Sequence, residues 1–312
     1  MKVLIVCSGT KGVLSPFIKE QMDSIVKHGV EVLLFQVTKK GLLGYLSNFI
    51  SLKKAINKHK PDIIHAHYGL SGLLANLQRR VPVVTTFHGD DINKPQNVKY
   101  SYFATRLSKA NIFVNKEMMD RTGNTRNSFI IPCGVDTSLF FPIPRIDARK
   151  LLQIALDEIV VLFSSAFDNP GKNYSLAKVA CADLEKKINQ KVKLNELKGY
   201  DRQQVNLLIN SVDCVLLTSF SEGSPQLIKE AMACNCPIVA TNVGDIAWLL
   251  GDIEGYYLTS FDIKDVVAKI QSALKFARTK DKTNARERIA SLGLESHTVA
   301  QKIIEVYKKV LE

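Results

Sequence analysis

The chain has 312 residues, nearly half of them apolar, with six cysteines and a formal net charge of +12 at pH 7. That length can bury a large core and fill two domains of ordinary size, so a globular, soluble protein is expected. Residues 1–145 carry 20 bases and 9 acids whereas residues 146–312 carry 22 and 21, which argues against a chain built throughout for nucleic acid and for one face directed at an anionic surface.

The opening stretch MKVLIVCSG has one lysine and an apolar run too short for a secretory leader, so it reads as a buried first strand. No apolar stretch reaches the length that spans a bilayer. Short β-branched runs then alternate with helical patterns, the signature of parallel sheets with crossover helices. The first set is residues 2–6, 30–37, 62–66, 81–87, 111–115 and 128–132. Between the first run and its helix, SGTKGVLSPF (8–17) is a relaxed glycine loop in which Gly9 and Gly12 let the backbone approach a diphosphate or an acceptor. Residues 41–60 place Leu42, Tyr45, Leu46, Phe49 and Ile56 at helical spacing, with Lys53, Lys54, Lys58 and Lys60 at the C-terminal end. One reading is a surface helix whose bases complement its dipole. The sharper reading is a helix whose basic end and aromatics face an anionic membrane. His65 and His67 alternate on one strand face without a carboxylate cluster, which favours packing and hydrogen bonding over metal. His88 follows a buried-type strand and precedes Gly89-Asp90-Asp91, at the strand end where ligands of such folds collect.

Residues 140–150, FFPIPRIDARK, have two prolines and no period and form the best linker. The second set of runs, 158–165, 192–197, 212–219, 237–242 and 255–260, makes a similar half. The cysteines, Cys7, Cys133, Cys181, Cys214, Cys234 and Cys236, lie in apolar surroundings without a CxxC pair, as expected of reduced thiols in a cytoplasmic compartment. The last seventeen residues form a helix whose apolar face, including Val299, Ile303 and Tyr307, requires something to pack on.

The stretch SFSEGSPQLIKEAMACNCPIVATNVGD, residues 219–245, carries the chemistry. Ser224 suits an N-cap and Pro225 the first helical position, so a helix is expected from Pro225, with Lys229 adding positive charge. Its N-terminus favours phosphate. Glu222 and Glu230 bracket that turn, and because an ionised carboxylate only accepts hydrogen bonds, what they hold must be neutral and rich in donors. Sugar hydroxyls on either side of a diphosphate fit that layout.

This block resembles the E-x7-E segment and following strand of the retaining, GT-B-fold glycosyltransferases of family 4, with Asn235-Cys236 where the family has a glycine step. IIPCGVDTSLFFP, KPDIIHAHYG and TTFHGDD are similar to other segments of that family, and the resemblance covers essentially the whole chain. It implies an α/β GT-B fold, two Rossmann-like parallel-sheet domains facing each other across a cleft. An acceptor domain is expected over 1–140 with helix 296–312 packing back on it, and a donor domain over 141–295. It further implies that Glu230 holds ribose hydroxyls, Glu222 the transferred sugar, His88 the donor sugar near the reacting carbon, and Lys172 the leaving diphosphate. Gly223, Ser224, Pro225 and Gln226 complete the donor-binding turn. The family's usual arginine is missing near Ala166. No cofactor or metal is implied beyond a UDP- or GDP-linked sugar as substrate. The expected partners are that nucleotide sugar, a lipid-linked or saccharide acceptor and an anionic membrane surface, with no nucleic acid, at the inner membrane face. Rival readings are a GT-B epimerase or phosphorylase, or a non-catalytic nucleotide binder.

Overall fold

The computed structural model describes residues 1–9 and 14–312. Two compact units divide the chain, unit 1 from Met1–Gly134 with Ser296–Glu312 and unit 2 from Val135–Glu295. Unit 1 holds β1 (Lys2–Ser8), β2 (Glu31–Val37), β3 (Ile63–His67), β4 (Val83–Phe87), β5 (Ala110–Phe113) and β6 (Ser128–Ile130). They pair in the order β2-β1-β3-β4-β5-β6, every pair parallel. Unit 2 holds β7 (Ile159–Phe163), β8 (Val192–Asn195), β9 (Cys214–Leu217), β10 (Ile238–Thr241) and β11 (Tyr256–Thr259), also all parallel, in the order β11-β10-β9-β7-β8. β3, β4, β7, β9 and β10 are buried throughout, and β1 throughout its middle, because crossover helices cover both sides of a parallel sheet.

The last helix, Ser296–Leu311, lays Val299, Ile303, Ile304, Val306, Tyr307 and Val310 into a core shared with Ile18 and Ile25 of the helix Pro16–Lys27. That contact supplies the covering its apolar face needs. All six cysteines are buried and none is in a disulfide.

Two expectations are corrected. Residues 41–60 form two helices, Gly41–Leu46 and Phe49–His59. The break lies at Ser47-Asn48, whose side chains both donate to the Gly44 carbonyl at 2.9 and 2.7 Å and so offer the backbone a local alternative to the helix ladder. The stretch read as a linker contains the helix Arg145–Leu151. Its Arg149 is 2% exposed and donates to the carbonyls of Ser211, Ala155, Leu156 and Glu158 and to the Asp213 carboxylate. Prolines at 142 and 144 hid a helix that tertiary contacts stabilise. Asp213 also takes Arg145 at 2.6 Å and the Val160 N–H at 2.8 Å, so one carboxylate ties this helix to the first strand of unit 2.

Removing one partner of such a buried pair leaves a charge without compensation. Asp213→Ala is therefore expected to destabilise the protein by about 3–5 kcal/mol in urea unfolding. Asp168→Ala, which removes the exposed Lys198 pair, is expected to cost less than about 1 kcal/mol.

Candidate functional site

Strand order reverses between β7 and β9 in unit 2, and the loops that follow two such strands part to leave a crevice at their C-terminal ends. Lys172 closes a short 3-10 turn, Pro170–Lys172, on the loop after β7. Glu222 lies on the loop after β9. Thr218 Oγ1 donates to the carbonyls of Lys172 and Asn173, both at 3.0 Å, and the Phe220 N–H donates to Gly171 at 3.1 Å. The loops are thereby stitched together, and Lys172 Nζ donates to Glu222 Oε1. Ala166 stands on the same β7 loop, where its carbonyl accepts the Asn169 N–H.

The turn Glu222-Gly223-Ser224 rests on Gly244 of the loop after β10. Gly244 has φ +61°, and a Cβ there would stand 2.8 Å from the carbonyl oxygens of both Glu222 and Gly223. Only glycine lets these two backbones meet so closely. Gly223 itself is buried.

The helix that follows runs Gln226–Ala233, with Pro225 at the N-cap position (φ −67°, ψ 122°) and no side-chain cap. This corrects the expected start at Pro225 under a Ser224 cap. Ser224 Oγ is drawn instead to Lys229 Nζ at 3.1 Å. Lys229 is wholly buried, so it offers no charge on the surface of the turn; it faces the buried Asp245, whose carboxyl burial pushes up to about 6 while Lys229 draws it down. The pair underpins the turn from within.

Glu230, 2% exposed, bonds the Arg202 guanidinium at 2.7 Å. Arg202 is the functional residue that the sequence reading missed. It occupies the first position of the helix Arg202–Ser211, held by a capping box in which Asp201 accepts the Gln204 N–H and Gln204 Oε1 accepts the Asp201 N–H. Its guanidinium lies 4.6 Å from the Phe140 ring centre. The available signal was the sequence DRQQ, a capping box with a base just inside it. At the other end of the Gln226–Ala233 helix, Asn235 takes the left-handed φ of 56° that glycine would supply. The N–H groups of Asn235 and Cys236 close back on Met232 and Ala231, so asparagine does the glycine's work at this helix end.

In unit 1 the order reverses between β1 and β3. Gly9 follows β1; its N–H donates to Val37, and a Cβ would lie 2.7 Å from Gln36 Cβ. Packing against β2 therefore accounts for glycine at this position. Gly12 lies outside the described residues. His65 and His67 point from β3 into hydrogen bonds, His65 to Tyr307 Oη at 2.6 Å and Thr86 Oγ1 at 2.7 Å, and His67 Nδ1 to His88 Nε2 at 2.9 Å. The rings of His65, His67 and His88 stack in turn at 4.5 and 5.1 Å. Burial holds His67 far down, at about 3, so it is neutral at pH 7. Its buried Nε2 has no hydrogen-bond partner among the described residues. A bare acceptor there costs less than an orphaned N–H, so the favoured tautomer donates from His67 Nδ1 to His88 Nε2 and leaves His88 Nδ1–H directed at Cys133 Sγ, 3.6 Å away. Tyr68, in the strained region at φ 73°, and Phe17 complete the ring cage around His88.

The loop carrying His88 is organised by Asp91. Its carboxylate accepts the N–H groups of His88 (3.1 Å), Gly89 (3.0 Å) and Gly69 (3.2 Å), while Asp90 is exposed and bonds Lys94. Gly69 approaches so closely that a Cβ would lie 2.0 Å from Ser101 Oγ.

Two Rossmann-like units, one ending its strands in a histidine-bearing loop and the other in a paired-carboxylate turn, are the parts of the fold shared by GT-B glycosyltransferases. The chain belongs to family 4 of these enzymes: residues 2–139 match Glycosyltransferase Family 4 and residues 158–275 match Glycosyl transferases group 1. It is 24% identical over 217 residues to TuaC, a Bacillus subtilis glycosyltransferase named for teichuronic acid biosynthesis; the match covers 61% of this chain and 56% of TuaC. The fold is shared with a sucrose-phosphate synthase from Thermosynechococcus elongatus (TM-score 0.82, 16% identity, 99% of each chain). It is also shared with Anabaena HepE in complex with UDP-glucose (TM-score 0.77, 18% identity, 99% of this chain and all of HepE).

Burial pushes the Asp91 carboxyl up to about 6 against the pull of its backbone donors. The amide resonances of Gly69 and Gly89, which bond to it, are expected to titrate with an apparent pKa near 6. A midpoint near the ordinary carboxylate value of about 4 contradicts the buried placement.

Proposed function

We propose that this chain transfers a sugar from a UDP- or GDP-linked donor to a saccharide or lipid-linked acceptor with retention of configuration, in the synthesis of a surface polysaccharide. One observation carries the reading: two carboxylates on either side of a helix N-terminus, each already holding a cation, Glu222 with Lys172 and Glu230 with Arg202. A carboxylate anchored by a cation keeps further lone pairs for hydroxyl donors. The two cations, with the positive end of the helix, offer charge to a diphosphate. Arg202 supplies the second cation that the sequence lacks near Ala166. Glu230 takes the ribose hydroxyls and Glu222 those of the transferred sugar. The bound UDP-glucose of HepE, a protein of the same fold, agrees with such a donor.

In the proposed reaction the bond from the anomeric carbon to the diphosphate oxygen breaks while the acceptor oxygen bonds to the same face. The acceptor's proton passes to the departing phosphate oxygen. Lys172 and Arg202 stabilise the developing negative charge without a divalent cation. This front-face course is favoured over a covalent intermediate because Asp91 is committed to three backbone N–H groups and Asp90 to Lys94. His88 holds a sugar hydroxyl through Nδ1–H, exchanging its long contact to Cys133 for a shorter one.

The same proposal puts the work at the cytoplasmic face of the membrane, and the net positive charge of unit 1 supports it. No helix among the described residues is long and apolar enough to cross a bilayer. The helix Phe49–His59 exposes Ile50 and carries Lys53, Lys54 and Lys58, the features of a segment that rests on anionic lipid.

Four measurements test these statements. Turnover with UDP- and GDP-sugars is expected to release free nucleotide. Glu230→Ala is expected to weaken nucleotide binding by about 1.5–3 kcal/mol, roughly tenfold to a hundredfold, in calorimetric titration; an unchanged affinity removes Glu230 from the donor site. Lys172→Gln is expected to lower kcat by about 10²–10³ with a smaller change in KM. Reversing Lys53, Lys54 and Lys58 to Glu is expected to abolish salt-sensitive flotation with anionic vesicles, and a wild type that never floats ends the membrane proposal.

A further inference from the structure

The opposite edge of the unit 1 sheet carries a feature that donor chemistry does not use. At the N-terminal ends of β4, β5 and β6 lies a concavity of about 820 Å³, the size range of small-molecule sites. Arg79, Arg80, Arg106, Lys109 and Arg126 line it, and no acidic or aromatic residue does. Strands of this length put it roughly 16 Å from the edge that holds His88, at about 3.3 Å per residue.

All of the protein's net charge belongs to this unit. Unit 1 holds 22 bases and 10 acids, a balance of +12, whereas unit 2 holds 20 of each. At the β1 end of the same edge the bases are answered: Lys2 pairs with Glu31, and its N–H donates to Asp62. Around the concavity they are not. Among the described residues no acid pairs with the five cations, and their side chains form no hydrogen bond there.

Helix dipoles offset only part of this charge. Helices Gly69–Asn76, Pro95–Leu107 and Lys116–Thr122 end beside the concavity. Each C-terminus is worth about −0.5 charge, so three give about −1.5 against five positive side chains. A surplus above three charges is left, focused in a concave site. Four of the five cations are guanidinium groups, whose forked donors match phosphate oxygens two at a time. Without an aromatic platform the site does not suit stacked nucleobases.

We propose that this concavity binds a ligand carrying two or more clustered phosphate groups, at a site separate from the paired-carboxylate turn of unit 2. Such a group arrives either free in solution or on a lipid head.

The test is calorimetric titration of the full chain with inorganic tripolyphosphate, in wild type and three variants. Arg80→Gln/Arg126→Gln is expected to weaken binding about tenfold or more. Lys54→Gln/Lys58→Gln, which removes the same charge elsewhere on unit 1, is expected to keep wild-type affinity, and Lys172→Gln, in the unit 2 turn, to keep the binding phase that Arg80→Gln/Arg126→Gln loses. Equal weakening in both double variants means a diffuse field and overturns the proposal. So does loss confined to Lys172→Gln, or no binding in the wild type. A parallel flotation with phosphatidylcholine vesicles containing phosphatidic acid identifies the source. Flotation weakened in the Arg80/Arg126 variant relative to wild type assigns a lipid headgroup, and tripolyphosphate binding with equal flotation of wild type and that variant assigns a soluble ligand. Nucleotide-sugar turnover of the Arg80/Arg126 variant is expected to equal wild type, so failure here leaves the donor-site reading standing and the reverse also holds.

Discussion

A carboxylate almost wholly removed from water must be met by a cation or by several donors, and in unit 2 that requirement governs how the site is assembled. Glu230 is such a group, and Arg202 answers it. Arg202 is in place because Asp201 and Gln204 cap its helix. The same helix is fastened along its length: Asn206 accepts from Cys234 Sγ, and Asn210 accepts the Ile143 N–H and donates to the Phe141 carbonyl. The pair is therefore positioned by a chain of bonds from the 140s to the end of the Gln226–Ala233 helix. Beneath the turn, Lys229 and Asp245 repeat the logic with both charges buried. Three charged groups within one turn and one short helix, Glu222, Lys229 and Glu230, are tolerated because each faces an opposite charge, Lys172, Asp245 and Arg202.

Unit 1 solves a different problem with the same architecture. A parallel sheet sends every strand-end loop to one edge, and there a cage of rings surrounds His88 while Asp91 gathers three backbone donors. The side chain caged in this way is that of His88. Its ring is held by stacking on His67, by Tyr68 and Phe17, and by a hydrogen bond whose direction follows from the burial of His67 Nε2. The opposite edge collects the starts of the strands and the ends of the helices, and in the β4–β6 region it collects bases without acids. One sheet thus presents an edge with a cage of rings and, at its other end, a strongly positive one.

Much of this was legible in the residues. Strand positions followed from β-branched runs, because a strand covered on both faces is mostly apolar. The last helix showed its apolar face by spacing alone. His65 and His67, read as packing and hydrogen bonding, make those bonds to Tyr307, Thr86 and His88. Where the reading failed, a local signal pointed one way and a distant contact decided the other. Prolines 142 and 144 marked a linker, yet Asp213, more than sixty residues away, buries Arg149 and fixes a helix. Ser224 was the better cap by type, yet buried Lys229 claims its hydroxyl.

The sequence by itself determined the two parallel-sheet halves, the turn between two glutamates and the concentration of charge in the first half, since each is written in spacing or composition. Only the tertiary structure decided which cation each glutamate meets, that Lys229 is buried, that His88 leans on His67, and that five bases converge on one hollow. The physical reason is range. Periodicity and propensity act over a few residues, whereas burial and charge pairing depend on groups brought together from distant parts of the chain, and no local pattern encodes the partner.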